Sequence, residues 1–273
     1  MGGRGSSSST FRRQPVTAQQ RPNPPQPPQP APQVADQTPD ANNTPVTPNA
    51  LDALSQMSDD QLAQLYNASR NVQMPNHLSD VDDKTQRFVF QAGINGLPTV
   101  LDDASFSAFL KANGMSQSDV LARSVNGAPY TVGNTHYNLT AQQIADMMMY
   151  SKLNYIGGKI NGQAYGGGTY FARTGGRSTG YNPGGVTVSA VLNPKTARPI
   201  SLNDLRAKVP AFQRSHPKFA AAVGKFTTAL GHSPNSTASI YALAMGYNVI
   251  TDGDSGYDGY VNAIDRTALV YRK

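Results

Sequence analysis

The chain contains no cysteine among its 273 residues. This absence excludes a disulfide framework and a cysteine-based zinc site, and it removes the thiolate as a nucleophile. The histidines do not have metal-ligand spacing either, since they stand at positions 77, 136, 216 and 232. We therefore expect no metal in this protein.

Long apolar runs are also missing. No stretch approaches the roughly 18 apolar residues that a membrane-spanning helix needs, and the N-terminus lacks the apolar segment of a signal peptide. Hydrophobic residues make up 38% of the chain and are sparse in its first fifty residues. We expect a soluble protein that has no membrane partner.

Basic residues are in excess, but they are not clustered. The chain has 23 basic and 17 acidic residues, for a net charge of +6, and its longest basic run is Arg12-Arg13. A nucleic-acid-binding surface typically shows a denser basic stripe. Nucleic acid is therefore not expected as a partner.

Proline is concentrated at the N-terminus, where residues 1–50 hold eleven of the twenty prolines. Such a segment buries too little apolar surface to offset the entropy of ordering it. Residues 1–50 are predicted to form a disordered arm, rich first in glycine and serine and then in proline. Its PxxP spacings could dock onto another protein, although a semi-rigid spacer is the simpler interpretation.

Residues 51–118 carry helix signals and no visible chemistry. The tetrapeptide Ser58-Asp59-Asp60-Gln61 has the pattern of a helix capping box. Further helices are predicted over residues 83–92, ending at Gly93, and 102–111, stopped by Asn113-Gly114. This region is predicted to be a small helical subdomain.

From residue 119 to the C-terminus, strand and helix signals mix without regular alternation, which is typical of an α+β fold. Strands are predicted at residues 119–125, at Val186 to Leu192 and within residues 260–271. Helices are predicted to begin at the caps Thr140, Ser215 and Ser236.

The most informative stretch is rich in glycine and aromatic residues. It reads Gly166-Gly167-Gly168-Thr169-Tyr170-Phe171-Ala172, and Ser178-Thr179-Gly180-Tyr181 follows five residues later. Glycines let a backbone approach a ligand closely, while tyrosines offer flat faces and hydroxyls. A planar heteroaromatic that carries an amide would suit such a place, and a glycine-rich hairpin is the structural alternative.

This spacing, GxGxYFA and then SxxY, resembles the nicotinamide-binding segment of the ADP-ribosyltransferase superfamily. The segment Leu121-Ala122-Arg123-Ser124-Val125 is similar to the first-strand arginine motif of its arginine-serine-glutamate branch. Ser178-Thr179 resembles the serine-threonine motif of that branch. With a helical region before the arginine, the arrangement is similar to ADP-ribosyltransferase-like domains in bacteriophage virion-associated proteins.

The resemblance implies both a fold and a site for residues 119–273. The implied fold is α+β, with split antiparallel β-sheets and flanking helices. Arg123 would bind NAD, Tyr170 would lie beside the ribose, and Ser178 would hydrogen-bond the nicotinamide amide. The remaining NAD-binding positions implied are Gly168, Phe171, Thr179 and Tyr181, of which Tyr181 would stack on the ring.

The chain departs from the family in one respect. The family has a glutamate on the penultimate strand, whereas all seventeen acidic residues here are aspartates. The family position aligns near residues 259–261, and Asp258 is the nearest carboxylate. Aspartate is one methylene shorter, and misplacement by about 1 Å can cost about two orders of magnitude in rate. Either Asp258 substitutes, or the domain binds NAD without turnover, or it does neither.

The sequence therefore predicts an NAD-dependent mono-ADP-ribosyltransferase-like protein that transfers ADP-ribose to a protein or nucleotide acceptor, with NAD as co-substrate and no metal. The alternative is a catalytically degenerate domain that serves as a structural or packaged virion protein, whose arm contacts other virion proteins. A virion-associated protein of this kind would be delivered to, or made in, a bacterial host cytoplasm.

Overall fold

The computed structural model describes residues 50–72, 84–94, 96–132, 135–150, 167–173, 185–229, 237–252 and 259–273. These ranges belong to one compact unit that extends from Val46 to Lys273. The predicted N-terminal arm lies, apart from its last residue, outside the described residues.

Helices dominate the first part of the described chain, namely α1 (Ala50–Ser55), α2 (Asp59–Ser69), α3 (Lys84–Gln91) and α4 (Asp103–Ala112). The capping box predicted at the start of α2 is confirmed. The Gln61 N–H donates to the Ser58 hydroxyl oxygen at 3.3 Å, and the Ser58 N–H donates to the Gln61 side-chain oxygen at 2.8 Å. The bounds of α3 and α4 agree with the predicted ranges to within a residue or two.

The later helices are α5 (Ala141–Tyr150), α6 (Leu202–Ser215), α7 (Pro217–Ala229) and α8 (Ala238–Ala244). The predicted cap at Thr140 is confirmed, because its hydroxyl oxygen accepts from the Gln143 N–H at 3.2 Å. Ser236 lies outside the described residues, and the N-cap residue of α8 is Thr237.

The prediction that Ser215 caps a helix is wrong. Ser215 ends α6, and its hydroxyl donates back to the Phe212 carbonyl at 3.0 Å. The N-terminus of α7 is capped instead from α2, where the Asp59 carboxylate accepts from the backbone N–H groups of Lys218 (3.0 Å) and Phe219 (2.9 Å). Pro210 lies inside α6. Because a proline removes a hydrogen bond of the helix, it normally indicates a break in a helix. The sequence pattern therefore does not predict α6.

The strands are mostly short. They are β1 (Thr99–Leu101), β2 (Leu121–Val125), β3 (Ala128–Val132), β4 (Thr135–Leu139), β5 (Thr169–Arg173), β6 (Val186–Leu192), β7 (Pro199–Ser201), β8 (Val249–Thr251), β9 (Val261–Ala263) and β10 (Leu269–Arg272). The strands predicted near residue 123, at β6 and toward the C-terminus are confirmed.

The described strands form an eight-stranded sheet in the order β1-β10-β6-β2-β5-β9-β8-β7, and β3 and β4 form a separate hairpin. The pairs β1–β10 and β7–β8 are parallel, and the other pairs of the sheet are antiparallel. The described residues thus form a mixed fold of helices and a mostly antiparallel sheet, in agreement with the α+β prediction.

Among the described residues, three apolar clusters hold these elements together. The helix core joins α1, α2 and α3 to α6, α7 and α8, through residues that include Leu54, Leu62, Tyr66, Phe88, Phe219 and Leu243. The α5 core lies between α5 and the sheet and includes Leu121, Val125, Ile144, Met148, Phe171, Val188 and Tyr271. The α4 core covers the other face near β10 and includes Phe106, Leu110, Val191 and Val270. The helices of residues 51–118 therefore pack directly against later parts of the chain.

Within the part of the chain that the structure describes, no helix combines the length and the apolar character that crossing a membrane requires.

Candidate functional site

Arg123 stands where the central strands of the sheet separate. Strand β2 pairs with β5 only through its first two residues, whereas Arg123 and the two residues after it pair only with β6. At this point the Nη1 of Arg123 donates a hydrogen bond to the carbonyl oxygen of Tyr170, at 3.0 Å. The Arg123 guanidinium thus links β2, the arginine strand, to β5, the glycine-tyrosine strand, across the opening where the two strands separate.

The Arg123 side chain lies on the face of the sheet that α5 covers. Its register partner on β6 is Val188, and side-chain alternation gives it the same face as Leu121 and Val125. These three apolar neighbours belong to the α5 core, and Arg123 itself is half-buried. Because a partly buried site has a lower effective dielectric constant than water, a guanidinium here attracts an anion more strongly than one on the surface.

Tyr170 and Phe171 have opposite orientations on β5. Phe171 pairs with Val261 and Tyr170 with Asn262, so alternation gives Phe171 the face of Arg123 and Tyr170 the other face. The Phe171 ring is 1% exposed and contacts Tyr271, with ring centroids 6.0 Å apart. Phe171 is therefore a core residue, whereas Tyr170 is half-buried and its carbonyl receives the Arg123 hydrogen bond.

Gly168 allows β5 to begin directly against β9. Its φ is +151°, and a Cβ at this position would lie 2.0 Å from the side-chain oxygen of Asn262 and 2.9 Å from the carbonyl oxygen of Ala263. Both distances are well below van der Waals contact. No other residue fits here without a shift of the strands.

A buried polar cluster holds the backbone just before β5. The Ser239 hydroxyl donates to the Gly167 carbonyl at 2.7 Å, and the Gly167 N–H donates to the Thr85 hydroxyl oxygen at 3.3 Å. The Asn262 amide in turn donates to the Ser239 hydroxyl oxygen at 3.3 Å. Thr85, Ser239 and Asn262 are all buried and come from α3, α8 and β9, so three elements fix the entry into the glycine-tyrosine strand.

Ser178, Thr179, Tyr181 and Asp258 lie outside the described residues. Their roles in NAD binding and catalysis stay predictions. Of the predicted site, Arg123 and Phe171 lie on one face of the adjacent strands β2 and β5, whereas the Tyr170 side chain lies on the other face and Gly168 precedes β5.

Thr169 is a candidate residue that sequence reasoning missed. Its side chain is 1% exposed, and its hydroxyl oxygen has no hydrogen-bond partner among the described residues. Leaving a buried hydroxyl without a partner costs roughly 1–3 kcal/mol. The only signal in the sequence is its place in the motif, between Gly168 and Tyr170.

A second guanidinium, that of Arg266, lies near Tyr271 of the α5 core. Arg266 is 2% exposed, and its guanidinium carbon lies 6.0 Å from the centre of the Tyr271 ring. Burial lowers the pKa of Arg266. Burial also raises the pKa of the Tyr271 phenol, against the opposing effect of the positive charges of Arg266 and Arg123. The sequence signal that could have indicated this buried cluster is the pair Asp265-Arg266 within the apolar segment of residues 260–271.

Asp265 supplies the negative charge next to Arg266. Its carboxylate accepts hydrogen bonds from the Thr267 N–H at 3.0 Å and from the Asn248 amide at 3.4 Å. Burial raises the pKa of Asp265, although these hydrogen bonds and the Arg266 charge act in the opposite direction.

On the face of the sheet that carries Arg123, β9 has no carboxylate among its described residues. Val261 and Ala263 alternate onto this face, and so does Gly259 if the strand register is continued. The side chain of Arg173, which is exposed, lies across Gly259. A Cβ on Gly259 would be 3.1 Å from the Arg173 Cδ, and the φ of Gly259 is +60°.

The described residues show no metal site, and no known protein was found to be similar to the chain. Among the described residues, no group of three or more histidine or aspartate side chains could hold a metal ion. Comparisons of the chain with protein-family models, with curated proteins and with solved structures gave no match.

Proposed function

We propose that residues 119–273 form an ADP-ribosyltransferase-like domain that binds NAD as co-substrate and transfers ADP-ribose to a protein or nucleotide acceptor. The observation that carries this proposal is the hydrogen bond from Arg123 to the Tyr170 carbonyl across the opening between β2 and β5. It joins the two segments on which the sequence resemblance depends.

The order of the central strands supports the proposal. The arginine strand β2, the glycine-tyrosine strand β5 and the penultimate strand β9 are consecutive in the sheet. The resemblance requires an arginine, a nicotinamide-binding segment and a carboxylate near the penultimate strand to reach one ligand. The adjacency of these strands supports this requirement, and the early separation of β2 from β5 is consistent with a split antiparallel sheet.

The donors near the opening suit a dinucleotide. A guanidinium has a planar fork that can hold a phosphate through two hydrogen bonds, and Arg123 presents this group half-buried. In the proposed complex, Ser178 hydrogen-bonds the nicotinamide amide, Thr179 and Tyr181 complete the binding surface, and Tyr181 stacks on the ring. Asp258 stabilises the oxocarbenium-like transition state while the bond to nicotinamide breaks.

NAD binding is tested first, by isothermal titration calorimetry. Arg123→Lys keeps the charge but loses the planar fork, so we expect NAD affinity to fall about tenfold or more. Ser178→Ala should also weaken binding. Ser107→Ala, on the exposed side of α4, is the matched control and should bind as the wild type does. A wild type that binds no NAD at millimolar concentration would contradict the proposal.

Transfer is tested with NAD labelled in its adenylate moiety, incubated with a bacterial lysate. We expect label to move to an acceptor while nicotinamide is released. Asp258→Asn should lower turnover by about tenfold or more and leave NAD affinity nearly unchanged, because the carboxylate acts mainly on the transition state. Asp146→Asn, an exposed aspartate of α5, is the control. Equal turnover in the two variants would remove Asp258 from the mechanism.

A second candidate function is a catalytically degenerate domain that serves as a structural or packaged virion protein. The lack of a carboxylate among the described residues of β9 on the Arg123 face of the sheet favours it. In that case NAD or ADP-ribose binds in an Arg123-dependent manner, but neither label transfer nor nicotinamide release occurs. The chain would then be found in purified particles as a component without this activity.

A further inference from the structure

The peptide groups on both sides of Gly167 are held by two helices. The Gly167 N–H donates to the Thr85 hydroxyl oxygen of α3 at 3.3 Å, and the Gly167 carbonyl accepts from the Ser239 hydroxyl of α8 at 2.7 Å. The Asn262 amide of β9 donates to the same carbonyl at 3.4 Å. Glycine loses more backbone freedom on folding than any other residue. These hydrogen bonds therefore restrain the backbone where it has the greatest freedom of its own.

The lack of a side chain on Gly167 allows α3 to lie directly against this backbone. A Cβ at this position would be 2.8 Å from the Cβ and 2.9 Å from the hydroxyl oxygen of Thr85, and both distances are well below van der Waals contact. Thr85 is 4% exposed and Ser239 is fully buried. Because water does not readily reach this place, removing either hydroxyl leaves a buried backbone group with one hydrogen bond fewer.

The first part of β5 depends on these contacts because it pairs with one strand only. Strand β2 pairs with the last two residues of β5, whereas Thr169–Phe171 pair with β9. On the side of β2, the hydrogen bond from Arg123 to the Tyr170 carbonyl crosses the opening. The position of this carbonyl, and of the guanidinium that binds it, therefore follows from β9 and from the helix contacts at Gly167.

From this arrangement we infer that Thr85 is a positioning residue of the ligand site. Through Gly167 and β5 it fixes the Tyr170 carbonyl and, with it, the Arg123 guanidinium. The inference rests on the proposed function for the identity of the ligand, which would be NAD. Groups that are held in place before binding lose less entropy when the ligand arrives. The helices of residues 51–118 thus take part in ligand binding, although their sequence shows no chemistry of its own.

Hydrogen exchange of the full chain without ligand tests the positioning itself. Thr85→Val keeps the shape of the side chain and removes the hydroxyl, so the buried Gly167 N–H loses its acceptor. We expect the amides of Thr169–Phe171 to exchange about fivefold or more faster than in the wild type, beyond what any change in the free energy of unfolding accounts for. Thr85→Ser keeps the hydroxyl and should restore the wild-type rates. Thr99→Val, at an exposed position of β1, is the matched control.

Urea denaturation of the same variants supplies the free energy of unfolding for this comparison. If exchange in β5 becomes faster only as far as the free energy of unfolding falls, Thr85 has a purely structural role and the inference is wrong, whatever NAD does. Faster exchange confined to β5, together with recovery in Thr85→Ser, supports it.

Calorimetric titration with NAD separates the two proposals. If NAD binds, Thr85→Val and Ser239→Ala should each weaken binding about fivefold or more, while Thr85→Ser and Thr99→Val bind as the wild type does. If NAD binds and Thr85→Val matches the Thr99→Val control, the role of Thr85 is wrong and the proposed function stands. If the wild type binds no NAD but Thr85→Val still loosens β5, the positioning stands and the proposed function is wrong. Neither NAD binding nor faster exchange in β5 would overturn both.

Discussion

Two glycines of this chain differ in what surrounds them. Gly168 faces the side chain of Asn262 and the carbonyl of Ala263 at distances that exclude a Cβ, whereas a Cβ on Gly224, inside α7, would meet no atom within 4 Å. A glycine in a helix interior is destabilising relative to alanine. The same substitution should therefore have opposite effects at the two positions.

We expect Gly168→Ala to lower the free energy of unfolding by about 3 kcal/mol or more, because overpacking adds to backbone strain. Gly224→Ala should raise it by about 0.5–1 kcal/mol. Urea denaturation followed by circular dichroism measures both. Equal and small effects at the two positions would show that β5 does not approach β9 as closely as described.

At the scale of elements, α7 depends on a residue of another helix. Asp59 begins α2 and also accepts the hydrogen bonds of the first free N–H groups of α7. Partial burial acts in the opposite direction, but the hydrogen bonds from the N–H groups of Phe219 and Lys218 hold the pKa of Asp59 below its usual value. The folded state therefore binds this proton less tightly than the unfolded state.

The sign of the pH effect follows from linkage. A carboxyl with a lowered pKa stabilises the fold fully above its unfolded pKa of about 3.9, and the stabilisation is lost as the pH falls through the folded pKa. We expect Asp59→Asn to lower the Tm at neutral pH. Between about pH 4 and pH 2, the Tm of this variant should fall by less than the Tm of the wild type. Thermal melts at a series of pH values measure this.

Asp60→Asn is the matched control, because Asp60 is adjacent on α2 and forms an exposed ion pair with the Lys218 ammonium at 2.7 Å. Exposed ion pairs contribute little to stability, so its Tm should stay close to that of the wild type. If Asp59→Asn and Asp60→Asn lower the Tm by the same amount at neutral pH, the capping of α7 by Asp59 contributes no more to stability than a negative charge in the first turn of α2.

At the scale of the whole molecule, the helix core makes the first and last parts of the chain depend on each other. Leu54 of α1 is 1% exposed and belongs to the same cluster as Phe219 of α7 and Leu243 of α8. A fragment of residues 119–273 would expose the apolar residues of α6, α7 and α8 that α1, α2 and α3 cover. We expect this fragment to lack cooperative unfolding, whereas residues 46–273 unfold in one transition.

Leu54→Ala measures the same coupling in the full chain. It should lower the free energy of unfolding by about 3 kcal/mol and shift one common transition, seen by both circular dichroism and tyrosine fluorescence. Leu97→Ala, at a side chain that is 51% exposed, should have little effect. Two separate transitions in the Leu54→Ala variant would show that the helices of residues 51–118 form a unit of their own.

Many elements could be predicted because their signals are local. The boxes at Ser58 and Thr140 bring together residues only three apart, and β6 has enough residues for its period-two pattern to appear. Strands β7 and β8 have three residues each, which is too short for such a pattern. The cap of α7 comes from Asp59, far away in the sequence, so no local pattern could indicate it.

The sequence by itself determined which residue types are present and where several of the helices and longer strands lie, because caps, periodicity and turn residues act over a few positions. It also determined the motif that suggests a nicotinamide-binding segment. Only the tertiary structure decided that Arg123 reaches the Tyr170 carbonyl, that Gly168 lies against β9, and that Arg173 crosses Gly259. These contacts join strands that are far apart along the chain, and their register follows from packing of the whole sheet against its helices.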